Sequence, residues 1–220
     1  MTIRGKLYAA LVVAVAGLAV TAGVGIWALA RLSDRFDAVK TASDDRALAL
    51  ALKFDVTDFN GWQTAYGYDD GASRPTFLAS VATFKADLAH ARSQLNDPTE
   101  TRLLAAVEQA AASFMRLDAV AWRQLKAGHK AEVRRLFLGP EIVNFQRAAG
   151  AAQQLAAYEL ARADRAERSF RSARRDALRA LIAAAIVATM LVAILIVTAT
   201  DLARAAERAL PPARDDSPAP

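Results

Sequence analysis

Two uncharged apolar runs, Leu7 to Ala30 and Ala180 to Thr200, constrain this chain more than any other feature. Each meets the about 20 residues that a helix needs to cross a ~30 Å hydrocarbon core. Residues 31–179 between them are largely polar and patterned as helices, and residues 201–220 follow as a short tail. With 10 Gly, 7 Pro and abundant Ala, the composition favours helix over strand. The chain contains no cysteine, which excludes disulfides and thiolate metal sites. The expected organisation is a cytoplasmic N-terminus at 1–6, a first membrane helix at 7–30, a helical domain at 31–179, a second membrane helix at 180–200 and a partly disordered cytoplasmic tail at 201–220.

Arg4 and Lys6 ahead of the first run, and Ala28-Leu29-Ala30 at its end, also fit a cleaved signal peptide. The run is longer than the 7–15 residues of a signal core, and it flows without a breaker into a helical pattern from Leu32. An uncleaved anchor is therefore expected. The net charge of +5 gathers beside the second run, where Arg162, Arg165, Arg168, Arg171, Arg174, Arg175 and Arg179 lead into it. That placement points to a membrane surface rather than to nucleic acid. Counted at the second run alone, these arginines would put the middle domain inside the cell. The first helix usually dominates, and long domains translocate largely regardless of charge. Both termini are expected inside and the middle domain outside, in a multi-pass protein of the cell membrane.

The middle segment reads as four helices. The first continues from the membrane to about Tyr66, with Leu48, Leu52, Val56, Phe59, Trp62 and Tyr66 as its apolar stripe. Gly67, Gly71 and Pro75 break it. The second runs from about Pro75 to Leu95 on Phe77, Val81, Phe84, Leu88 and Leu95, with Ala91 as the small member. Asp97-Pro98-Thr99-Glu100 forms a capping box that opens the third helix, whose seam is Leu103, Val107, Ala110, Phe114, Leu117, Ala121 and Leu125. The fourth starts near Lys130, is interrupted at Gly139-Pro140, resumes at Glu141 and enters the second apolar run. The expected fold is an all-α membrane protein in which two transmembrane helices flank an extracytoplasmic up-down-up-down four-helix bundle.

Little in the chain points to chemistry. His90 and His129 lack ligand spacing, and there is no Gly-rich phosphate loop or nucleophile motif. No catalytic residue, metal site or cofactor is expected, and the chain is not read as an enzyme. The densest unusual stretch is Asp58 to Asp70, which gathers aromatics, amides and carboxylates at the end of the first helix. Asn60, Trp62, Gln63 and Tyr66 are its candidates for binding a small polar ligand. Trp62 and Tyr66 equally fit as plugs at the end of the core. Asp55 and Gln63 fall within the apolar arc, so each needs a hydrogen-bond partner, a ligand or a subunit seam. In the first run Gly17, Thr21 and Gly25 share one face at a spacing that lets two membrane helices approach closely, a candidate homodimer seam.

The segment Asn60-Gly61-Trp62-Gln63-Thr64-Ala65-Tyr66 resembles a stretch of methyl-accepting chemotaxis proteins. Gly128-His129 and Leu138-Gly139-Pro140-Glu141 sit where similar turns occur in that family. The resemblance covers residues 1 to 200. It implies a membrane-embedded sensory input module that takes a small solute and signals through paired helices, as a homodimer or paired with a full-length receptor. The family's HAMP linker, methylation helices and kinase-contacting hairpin find no counterpart after Thr200, where Pro211-Pro212 stops any helix. No ligand or methylation residue carries over. The competing expectation is a membrane-anchored structural or regulatory envelope protein that binds a protein partner.

Overall fold

The computed structural model describes residues 3–209, all of them in helices or the turns between helices. Met1, Thr2 and residues 210–220, with the expected helix stop at Pro211-Pro212, lie outside the described residues. The elements are α1 (Ile3–Tyr68), α2 (Arg74–Gln94), α3 (Pro98–Lys126), α4 (Lys130–Leu136), a π-helical turn (Phe137–Glu141) and α5 (Ile142–Ala209).

Local chemistry explains the boundaries. After Tyr68 the chain turns through Asp70 and Gly71, both at positive φ, and Gly71 at +95° also lets the Trp122 ring approach. α2 begins at Arg74, one residue before the expected start, so Pro75 sits just inside the first turn, where its missing N–H costs nothing. At α3 the capping box forms: Asp97 accepts from the Thr99 amide at 2.8 Å, and the Asp97 amide donates to Glu100 at 2.9 Å. Gly128, at φ +78°, separates α3 from α4. The interruption at Gly139-Pro140 takes the form of a π turn. Proline lacks an amide to donate, and the wider turn carries the helix past it.

The chain divides into two packing units. In the unit Asp37–Ser169, side chains from α1, α2, α3 and α5 converge on one buried apolar cluster. Leu52, Val56 and Phe59 of α1 meet Phe77, Phe84 and Leu88 of α2, Leu104, Val107 and Phe114 of α3, and Ala148, Ala152 and Leu155 of α5. Phe59 is its hub, with ring centroids 5.4 Å from Phe84 and 5.1 Å from Phe114. The expected α2 seam is buried throughout. Two details differ from expectation. The α3 seam runs through Leu104, Ala111 and Asp118, with Leu103, Ala110 and Leu117 half-buried beside it. On α1, Trp62 of the expected stripe is 37% exposed, while Gln63 is buried within the apolar arc where its position in the sequence placed it. Gln63 finds its buried partner in Asp118 of α3, which also receives the Tyr66 hydroxyl.

The other unit comprises the described parts of Met1–Phe36 and Phe170–Pro220. Here α1 and α5 each carry a stretch long and apolar enough to cross a membrane, and neither stretch is buried inside the protein. Leu11, Val15 and Leu18 are exposed on one, and Ile186, Met190 and Ile194 on the other. Gly17 faces the second run: a Cβ there would lie 2.5 Å from Cδ1 of Leu191. Phe36 and Phe170 pack edge to face at 6.3 Å.

Candidate functional site

Within the Asp37–Ser169 unit, the last turns of α1, the end of α3, α4, the π turn and the start of α5 enclose a cavity of about 530 Å³. From α1 come Asn60, Gln63, Thr64, Gly67 and Tyr68, and from α3 comes Leu125. α4 adds Lys130, Val133 and Arg134, and the π turn adds Phe137, Leu138 and Glu141. Ile142 and Phe145 of α5 complete the wall. Gly67 is required where it stands, because a Cβ would overlap the Phe137 ring. The π turn sets the register of the opposite wall. Leu136 and Glu141 are both buried, one π turn apart, and the inward series then continues through Ala148, Ala152 and Leu155. A plain α-helical turn after Leu136 would bring Pro140 inward instead.

Glu141 is therefore driven into the interior. It is 1% exposed, and neither carboxyl oxygen has a hydrogen-bond partner. Burial, reinforced by the negative charge of Asp118, pushes its pKa up to about 8. The Gln63 side chain and the Arg74 guanidinium act in the opposite direction and do not cancel it. Asp118, by contrast, holds three donors on one oxygen. Its Oδ1 accepts from Gln63 Nε2 at 3.1 Å, the Tyr66 hydroxyl at 2.5 Å and Arg74 at 2.7 Å. The Arg74 guanidinium lies over the rings of Tyr66, Phe77 and Trp122 at 4.8, 4.6 and 4.9 Å. Burial and the adjacent Asp118 hold the Tyr66 hydroxyl far above its ordinary pKa, so it remains a donor.

Four other acidic residues, Asp45, Asp55, Glu100 and Glu159, are buried in this unit. Asp45, Glu100 and Glu159 surround the Arg162 guanidinium, which bonds to Glu100, to Asp45 at 2.9 Å and to Glu159 at 3.4 Å. Their oxygens lie within 4.8 Å of one another, a spacing that suits a metal ion, but Arg162 supplies the positive charge from within the chain. Burial and the Glu100 charge raise the Glu159 pKa to about 7. Asp55 is also raised to about 7, by burial first and by Asp87 of α2 second.

The structure separates the sequence candidates. Asn60 and Gln63 line the cavity, and Tyr66 lies in the core, holding Asp118. Trp62 is at the surface, and Asp55 pairs toward Asp87; neither lines the cavity. In the other unit, the Thr21 hydroxyl donates to the Gly17 carbonyl at 2.9 Å, and a Cβ on Gly25 would meet nothing within 4 Å. Sequence reasoning missed Glu141, Asp118 and Arg74. For Glu141 the available signal was the Gly139-Pro140 break, since π turns recur at functional sites. Asp118 and Arg74 carry no local signal.

Comparison of the chain with protein-family models, with curated proteins and with solved structures returns no match.

Proposed function

We propose that this protein is a membrane-embedded sensory input module of chemoreceptor type, whose four-helix, extracytoplasmic bundle takes a small solute in the Glu141 cavity. The observation that carries this reading is a buried carboxyl without a partner, set by a π turn into a cavity of ligand size. Binding sites for small molecules span about 300–1,000 Å³ with apolar walls and a few placed polar groups, and this cavity fits that description. A purely structural core would gain by replacing Glu141 with an apolar or amide side chain.

The surface of the α1 and α5 runs supports membrane insertion. A fully exposed Leu, Ile or Met side chain forgoes about 1.5–3 kcal/mol of burial in water, and both runs carry many such side chains half or more exposed. Hydrocarbon removes that cost. α1 and the helix leading into α5 both supply cavity-lining residues and both carry an apolar run, which makes them the natural conductors of a ligand signal. Such signalling fits a homodimer, or pairing with a full-length receptor, with Gly17, Thr21 and Gly25 as one candidate seam.

A second reading has its own support. Leu50 and Phe54, one turn apart on α1, are exposed, as a regulatory envelope protein that docks a protein partner would require.

The test is a thermal-shift screen of the full chain in nanodiscs against amino acids, organic acids and amines. A solute at 100 times its Kd adds about 2.7 kcal/mol. For a chain of this size that raises Tm by about 5–11 °C. Thr64→Trp, an exposed position on the cavity wall, should abolish the shift. A screen without any Thr64-sensitive shift would defeat the solute-sensing reading and favour the protein-partner one.

A further inference from the structure

The cavity is chemically polarised, and its deepest demand is for a cation. Resting on the solute-pocket reading above, we propose that the ligand is an organic ammonium with an apolar body, its charged nitrogen seated on Glu141. The Glu141 carboxyl is buried, and both oxygens lack partners. The nearby guanidinium cannot serve it, because Arg74 is held by Asp118 at 2.7 Å and stacked against three aromatic rings. The missing partner, and the counter-charge that ionisation requires, must therefore come from a ligand.

The two cations on the cavity wall do not reverse this conclusion. Lys130 is paired with Asp70 at 2.6 Å, and both side chains are well exposed. Arg134 is exposed and hydrated. Surface cations interact weakly through water, whereas a buried carboxyl without partners forgoes its hydrogen bonds and, once ionised, needs a counter-charge, so the strongest unmet interaction is at Glu141 rather than at the basic wall. Phe137 and Phe145 add aromatic surface that suits an ammonium and an apolar body alike. Asn60 and Thr64 provide oxygen acceptors for the remaining N–H donors. An anionic ligand would meet the negative charge of Asp118 behind Glu141.

Seating an ammonium requires Glu141 to be ionised, so binding expels its proton. The groups that face Glu141 are Asp118 from α3, which opposes ionisation, and Gln63 from α1 and Arg74 from α2, which favour it. Lys130 and Arg134 of α4 share the cavity wall. At pH 7 the proton released should approach one per ligand bound.

Isothermal titration calorimetry on the full chain in nanodiscs, with 4-phenylbutylamine and 4-phenylbutyrate as near-isosteric probes, tests the assignment. The amine should bind saturably and at least tenfold more tightly than the carboxylate. Its enthalpy at pH 7 should vary with the ionisation heat of the buffer. Glu141→Gln, which keeps the shape and removes the charge, should weaken amine binding at least tenfold while its helical circular dichroism matches wild type. Amine binding unchanged in Glu141→Gln, or carboxylate binding as tight as amine binding, would overturn the proposal. So would the absence of saturable amine binding to wild type. If the thermal-shift screen still yields a Thr64-sensitive solute in any of these cases, the sensory pocket stands and only the ammonium assignment fails.

Discussion

The Tyr66 hydroxyl donates a 2.5 Å hydrogen bond to Oδ1 of Asp118, the same oxygen that receives Gln63 and Arg74. One buried carboxylate thereby ties α1, α2 and α3 together behind the cavity. Asp118→Ala should cost about 3–5 kcal/mol, because it leaves the largely buried Arg74 without its counter-ion. Tyr66→Phe removes one donor to the same oxygen and should cost less, about 1–2 kcal/mol. Urea unfolding of the two variants in nanodiscs checks the order; equal costs would show that the Arg74 pair is not the main tie.

Glu141 makes stability depend on pH in a defined direction. Its pKa is about 8 folded against 4.5 for the ordinary group, so the folded state holds the proton more tightly. Stability from this group is fully present below pH 4.5 and is lost as pH rises through 8. Glu141→Gln should therefore be more stable than wild type, with a difference that widens between pH 5 and pH 8 to a few kcal/mol. Thermal melts of both proteins at pH 5, 6.5 and 8 measure it. A constant difference would place the Glu141 pKa near its ordinary value.

Arg162 is the shared counter-ion of Asp45, Glu100 and Glu159. Arg162→Met should destabilise by about 3–5 kcal/mol at pH 8, where three buried carboxylates repel one another. Protonation relieves that repulsion, so the loss should shrink at pH 5.5. Parallel denaturation of wild type and variant at the two pH values decides it, and a loss that is larger at pH 5.5 would contradict the arrangement.

Two α1 glycines should respond oppositely to the same substitution. A Cβ at Gly67 overlaps the Phe137 ring, whereas one at Gly61 meets nothing within 4 Å. Gly67→Ala should cost about 1–3 kcal/mol through overpacking. Gly61→Ala, in a helix interior with open space, should stabilise by about 0.5–1 kcal/mol. Comparative melting of the two variants is sufficient. A stabilised Gly67→Ala would mean that the Phe137 ring moves freely.

Element identity was legible in the chain because helix signals are local. The capping box at Asp97, the break at Gly139-Pro140 and the apolar series Phe77, Val81, Phe84 and Leu88 all act within a few residues of themselves. The two apolar runs were legible for the same reason, since length and absence of charge need no partner. Asn60 and Gln63 were found as candidate site residues from composition alone, and both line the cavity.

Tertiary structure decided the rest. Periodicity ranks positions by hydrophobicity, so it favoured Trp62 for the core, and although it placed Gln63 in the apolar arc it could not name Asp118, far away in sequence, as the partner. It could not show that Gly17 faces Leu191 of the same chain. Nor could it show that a π turn carries Glu141 into a cavity walled by four helices and leaves its carboxyl without a partner. Those outcomes depend on which side chains meet across separate helices, and burial and charge pairing are set only when the helices pack.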